Sequence, residues 1–155
     1  MDIGVLAKFL VEANRATYAG DGPRVTPLLP GSRQLEYAWG DLLYRDIYFG
    51  SDRFQGQSVV YFRQVPVWGM VYSGGVFALN VPPETGIYPF LKRALRLVPE
   101  DEPFRGPRLF AEGHLVYRNV PEGDLAAFRG QEEIEFDGRV VYRLYYAGGS
   151  ILGAD

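Results

Sequence analysis

The chain has no cysteine and a single histidine, His114, among its 155 residues. The first absence excludes a disulfide framework, a zinc ribbon and thiol chemistry. The second leaves a zinc site of imidazole and thiolate without ligands, so no metal site is expected. Ser-His-Asp chemistry would have to use His114, and no Gly-x-Ser-x-Gly elbow accompanies it. His114 follows Gly113 and reads as an exposed turn residue. Gly-rich phosphate loops of the dinucleotide and Walker types are also missing, so no cofactor is expected. Glu100-Asp101-Glu102 lies between prolines without the spacing of a calcium loop. Long apolar runs are lacking too. The N-terminal stretch carries Asp2, Lys8, Glu12 and Arg15, which fits neither a signal peptide nor a membrane span. The expectation is a cytoplasmic protein with no membrane partner. Positive charge is in deficit, 16 Lys and Arg against 19 Asp and Glu. The cluster Arg93, Arg96, Arg105 and Arg108 is too small to track phosphates, so no nucleic-acid partner is expected.

What the chain has is aromatic residues, at 15%, and a repeat. Residues 54–75 and 128–149 align without a gap at an offset of 74 and match at 8 of 22 positions. The matches are Phe54/Phe128, Gly56/Gly130, Gln57/Gln131, Phe62/Phe136, Val67/Val141, Tyr72/Tyr146, Gly74/Gly148 and Gly75/Gly149. Upstream, residues 40–47 match residues 113–120 at an offset of 73. Such self-similarity marks a structural unit used twice. Ahead of each copy stands a helical stripe. One is Ile3, Leu6, Phe9, Leu10 and Ala13, with Asp2 as N-cap. The other is Ile87, Phe90, Leu91, Ala94, Leu95 and Val98, with Thr85 as cap, Pro89 in its first turn and Pro99 beyond its end. Gly- and Pro-rich links, 19–31 and 99–107, join helix to strands.

The fold class that follows is α+β in one domain over residues 1–155. It is read as two α-β-β-β units, repeat 1 about residues 2–75 and repeat 2 about residues 84–149, with an antiparallel sheet and pseudo-two-fold symmetry. At the last hairpin, Asp137-Gly138 marks the turn. Burying Ile134, Tyr142, Leu144 and Tyr146 on one face requires an odd offset, hence a three-residue loop. Glu132-Glu133-Ile134-Glu135 then reads as a solvated face.

Function is sought where the copies diverge. Glu133, Glu135 and Arg143 correspond to Val59, Tyr61 and Gly69, so the first hairpin has an apolar outer face of Val59, Tyr61, Val67 and Val71. Such a face needs cover. The candidates are the loop from Gly20 to Pro30, a homodimer partner or a ligand. In the strand 44–48, alternation puts Tyr44, Asp46 and Tyr48 on one face, where the second copy has Tyr117, Asn119 and Pro121. A carboxylate between tyrosines can anchor a ligand, act as a base if desolvated, or simply accept hydrogen bonds from hydroxyls. Trp68, Met70 and Tyr72 form a further row that reads as core or as ligand wall.

Several segments together resemble an uncharacterised bacterial domain-of-unknown-function family, whose members occur alone or behind an N-terminal helix-turn-helix. They are 14–19 (NRATYA), 44–50 (YRDIYFG), 54–57 (FQGQ), 66–72 (PVWGMVY), 104–107 (FRGP) and 146–149 (YAGG). The resemblance implies a module that senses a ligand or mediates association, and it brings no catalytic residues. Here the first helix begins at the N-terminus, without a helix-turn-helix ahead of it. Asn14 and Tyr18, from the first segment, complete the candidate ligand-binding set with Tyr44, Asp46, Tyr48, Trp68 and Tyr72. The leading expectation is a non-catalytic ligand-binding or association module. Its rivals are a small metal-independent enzyme using Asp46 as acid or base, and a purely structural dimerisation domain.

Overall fold

The structure, a computed structural model, describes residues 2–78 and 81–153. Two α-helices, α1 (Ile3–Ala16) and α2 (Ile87–Leu95), lie against one nine-stranded sheet. The strands are β1 (Arg24–Val25), β2 (Arg33–Trp39), β3 (Leu42–Gly50), β4 (Arg53–Phe62), β5 (Val65–Val76), β6 (Leu109–Glu112), β7 (Leu115–Asp124), β8 (Ala127–Phe136) and β9 (Arg139–Ser150). Their order is β1-β2-β3-β4-β5-β9-β8-β7-β6, with every described pairing antiparallel. Consecutive strands are therefore hairpin neighbours on each side of a central β5–β9 seam, where Tyr72 faces Tyr146.

Each helix is followed by four long or medium strands rather than three. The additional ones, β2 and β6, open the strand runs that the sequence pattern placed at residues 40 and 113. Their alternation is blurred: β2 reads RQLEYAW, with Gln34 buried on one side and Leu35 on the other. The α1 cap is as expected, Asp2 accepting from the Val5 amide at 3.0 Å. The α2 cap is Gly86 in the left-handed region, not Thr85, which lies in a short 3-10 turn, Pro83–Thr85. No helix among the described residues is long and apolar enough to cross a membrane.

The β8–β9 turn has two residues, not three. Asp137 and Gly138 both have positive φ, and Phe136 pairs directly with Arg139. The odd offset comes instead from a β-bulge: Glu135 pairs with Val140 and Ile134 with Tyr142, leaving Val141 over. A bulge adds one residue to one strand, so alternation is reset without lengthening the turn. The β4–β5 hairpin is built alike. Arg63 and Gln64 form its positive-φ turn, and Val67 is left over between the Tyr61–Pro66 and Val60–Trp68 pairs. The face assignment stands, with Ile134, Tyr142, Leu144 and Tyr146 all buried.

That buried face carries both helices. Their apolar stripes enter one cluster with Tyr48, Val60, Trp68, Tyr117, Ile134 and Leu144. Their C-terminal ends are tied by Arg15 Nε to the Arg96 carbonyl (3.1 Å) and Arg96 Nε to the Ala19 carbonyl (2.5 Å). The outer face is covered unevenly. Val59, Tyr61 and Val67 are half-buried, while Val71 is 58% exposed. Ile151 packs over Gly69, its amide donating to the Val67 carbonyl, and Arg45 lies over the Tyr61 ring. The loop from Gly20 to Pro30 does not seal this face. It engages the outer side at Gln34, which accepts from the Leu28 amide, while Val25, Leu28 and Leu29 stay exposed. The β1 pairing of Arg24 and Val25 with Leu35 and Gln34 holds that segment to the sheet's edge.

Gly56 and Gly130 have a packing role. A Cβ at Gly56 would lie 2.6 Å from the Tyr72 hydroxyl and 2.5 Å from the Ile47 carbonyl oxygen; at Gly130 it would meet the Tyr146 ring at 2.3 Å. Each glycine lets a tyrosine of the central seam lie flat across the neighbouring strand. Gly56→Ala should therefore lower stability by about 1–3 kcal/mol through overpacking, read from the urea midpoint. Gly69→Ala, where the nearest atoms stand at 3.4 Å, should change it by no more than about 0.5 kcal/mol. Equal losses at the two sites would show that the close approach under Tyr72 is not what constrains Gly56.

Candidate functional site

Between the helices and the first half of the sheet lies a cavity of about 460 Å³. Its floor is the inward face of β3, β4 and β5: Tyr44, Asp46 and Tyr48, then Ser58, then Met70 and Tyr72. Asn14, Thr17 and Tyr18 from the end of α1, and Leu95 and Lys92 from α2, form the opposite wall. Phe54 and Tyr88 close one side, and Arg105 reaches in from the loop before β6. Arg24, Arg33, Asp21 and Gly50 frame the exposed mouth. Six of the seven residues singled out from the sequence thus line one cavity. The exception is Trp68, which lies in the core: its indole stacks on Phe128 with centroids 5.5 Å apart and donates to the Leu125 carbonyl.

Asp46 is 5% exposed. Ser58 Oγ donates to its Oδ1 at 2.9 Å and Tyr72 OH at 2.7 Å, while Tyr44 OH donates to Ser58 at 2.9 Å. Both bonds end on Oδ1, so Oδ2 has no protein partner among the described residues. Burial raises the Asp46 pKa above the ordinary carboxylate value; the bonds from Tyr72 and Ser58 and the charge of Arg105 pull the other way without cancelling it. Tyr44 and Tyr72 are also pushed up, first by burial and then by the Asp46 charge. Asn14 presents a second vacant acceptor: its Oδ1 is buried and unpartnered. The amide orientation is set by the Arg105 carbonyl, which can only accept and takes Nδ2 at 3.5 Å.

Arg105 is the residue the sequence reading missed. The sequence groups it with Arg93, Arg96 and Arg108 in a small basic cluster, yet it is 9% exposed and sits at φ 73°, a left-handed backbone costly for a side chain of this size. Its Nε and Nη2 bind the Glu132 carboxylate at 3.2 and 2.7 Å, and its guanidinium lies 5.5 Å from the Tyr72 ring centroid. Burial alone would lower the Arg105 pKa, but the Glu132 charge holds it well above its ordinary value. Glu132, expected on a solvated face, is 0% exposed and also accepts from Tyr117 (2.7 Å) and Tyr142 (2.8 Å). Alternation from Ile134 could have placed it inward. Nothing periodic could have placed Arg105, because it lies in a loop. His114 is exposed in the β6–β7 turn beside Asp137.

Among the described residues no cluster of His, Cys, Asp and Glu has the arrangement to hold a metal ion. The fold and the cavity define an α+β domain with a ligand-sized, partly charged pocket on one half of an antiparallel sheet. The chain belongs to the family described as Domain of unknown function (DUF5680), whose model matches residues 46–151. Asp46, Tyr48, Tyr72, Arg105 and Glu132 fall inside that span, and Asn14, Tyr18 and Tyr44 outside it. No curated protein and no solved structure gives a significant match to the chain.

The raised Asp46 pKa links its proton to stability. An unfolded aspartate titrates near about 3.9. The folded state holds the proton more tightly, so this contribution is complete below that value and is lost as pH rises through the folded one. Wild type should lose stability relative to Asp46→Asn between about pH 4 and neutrality, measured by urea unfolding across that window. A pH-independent difference would show that burial does not disfavour the ionised form. For the second carboxylate, Arg105→Leu should cost about 3–5 kcal/mol by stranding Glu132, and Arg105→Leu with Glu132→Leu should recover much of it. Additive losses in the double variant would rule out coupling.

Proposed function

We propose that the protein is a small-molecule-binding module, non-catalytic, whose ligand occupies the cavity over β3–β5. The observation that carries this reading is Asp46: a carboxylate almost sealed from water, lining an open cavity, with one oxygen unengaged. That oxygen faces the cavity, where a ligand donor can take the place of water. The volume falls within the roughly 300–1,000 Å³ usual for ligand sites.

The same reading treats the chain as an internal duplication of an α-β-β-β-β unit about a pseudo-two-fold at the β5–β9 seam. Support comes from the strand order, from Tyr72 facing its counterpart Tyr146, and from Val67 and Val141 as the leftover residues of matching bulges. It also gives the cavity an internal comparison. Tyr146 donates to Asn119 Oδ1 at 2.8 Å, as Tyr72 does to Asp46, but the Asn119 amide is spent on the Phe104 and Gly106 carbonyls. The second copy fills this position with its own loop, whereas the first leaves it to a ligand.

Native mass spectrometry of the protein purified from its own host should show one small molecule per chain, lost or reduced in Asp46→Asn. An unliganded spectrum, together with no compound that raises the melting temperature through Asp46, would overturn the proposal. The raised pKa of Asp46 favours a second reading, in which the carboxyl acts as acid or base on that ligand. Conversion of the retained molecule by wild type but not by Asp46→Asn would decide for it.

A further inference from the structure

The charges and acceptors of the cavity are distributed unevenly from floor to mouth, and this restricts what can bind. Resting on the ligand-binding reading above, we propose that the ligand is a planar nitrogen heterocycle with N–H donors on its inner edge and an anionic group at its outer end, the chemistry of an amino-bearing mononucleotide.

The inner end supplies one vacant acceptor to the cavity, Asp46 Oδ2, with the enclosed and unpartnered Asn14 Oδ1 in the wall beside it. A ligand offering only acceptors there would leave Asp46 Oδ2 unpaired and face a carboxylate, so the inner group must carry N–H donors. The walls are aromatic: Tyr18, Tyr48, Phe54 and Tyr88 line the cavity, with Tyr18 edge-on to Tyr48 at 6.3 Å and Phe54 tilted against Tyr88 at 6.2 Å. Such walls favour a flat ring, because a planar base stacks on an aromatic face whatever its edge pattern. The mouth is cationic. Lys92 is held by Asp21 and lies over the Tyr18 ring, and Arg33 is anchored on the Gly50 carbonyl and over Tyr48. Arg24 makes no side-chain hydrogen bond or ion pair among the described residues and lines the same opening.

These features separate the proposal from simpler ligands. A polyamine would satisfy Asp46 but meet Arg24, Arg33 and Lys92 at the mouth. A small dicarboxylate would suit the mouth and be repelled by the floor. A neutral aromatic would leave the mouth unanswered. Only a molecule with donors inside, a ring between and an anion outside meets all three.

The test uses the full chain, thermal shift and calorimetry, with guanylate, adenylate, cytidylate and uridylate as the 5′-monophosphates, their nucleosides, and inorganic phosphate. At least one of guanylate, adenylate and cytidylate should bind and raise the melting temperature. Uridylate lacks an exocyclic amine and should bind at least tenfold more weakly. Asp46→Asn should weaken the best probe at least tenfold. Arg24→Glu, at an exposed position where folding is not at stake, should weaken the monophosphate while leaving its nucleoside unchanged. Equal binding by uridylate or by phosphate alone would overturn the ligand class and leave the cavity as a site. So would a retained molecule without an anionic group. If no probe binds and native mass spectrometry shows no retained molecule, both the class and the binding reading fall.

Discussion

Glu132 accepts hydrogen bonds from Arg105, Tyr117 and Tyr142 in a place closed to water, and much of the molecule is arranged around that carboxylate. A lone buried charge would be expensive, and the guanidinium with two phenols makes it tolerable by supplying donors to both oxygens. The arrangement commits the chain well beyond the pair. Arg105 reaches Glu132 from a left-handed backbone, and Asn119 grips the carbonyls on either side of that residue. The loop then closes one side of the cavity and brings a cation against the Tyr72 ring. Ion pairs of this kind add little net stability compared with an apolar replacement of equal volume. What this one supplies is position.

The two halves of the sheet resolve one problem in opposite ways. Each places a tyrosine hydroxyl from the central seam on an Asx side chain of the second strand outward. Asn119 has donors of its own and spends them on backbone, so its half is saturated. Asp46 has none, and the partners it finds, Ser58 and Tyr72, both choose the same oxygen. Replacing an amide by a carboxylate thus turns a packing position into an unfinished one.

Hydrophobic alternation carried much of this architecture on its surface. The α1 and α2 stripes, the antiparallel hairpins and the inward row Tyr44, Asp46 and Tyr48 were all readable, because each depends on a period of 3.6 or 2. The misses have distinct physical causes. The β2 and β6 strands carry polar residues in blurred alternation, and the loop holding Arg105 has no period. The bulges at Val67 and Val141 mimic a longer turn, since a one-residue insertion and a one-residue longer loop shift the faces identically. Glu132 was legible by the very alternation that put Ile134 inside, and its charge disguised it. Trp68 illustrates the converse: an aromatic row continues past the cavity into the core, and periodicity alone cannot say where one ends and the other begins.

The ends of the sheet bear on how the molecule behaves in a crowd. Nine strands in one open layer could present long rows of unpaired amides and carbonyls to neighbouring chains. Here the outermost strands are the shortest, two residues at Arg24–Val25 and four at Leu109–Glu112. Strands of that length offer few backbone groups to template a further strand, and Glu112 adds charge; beyond them, Glu36–Trp39 of β2 and Val120–Asp124 of β7 have no outer strand among the described residues. Each end of the sheet is thus stepped rather than flush, formed by the same links that carry the cavity wall and the Arg105 loop.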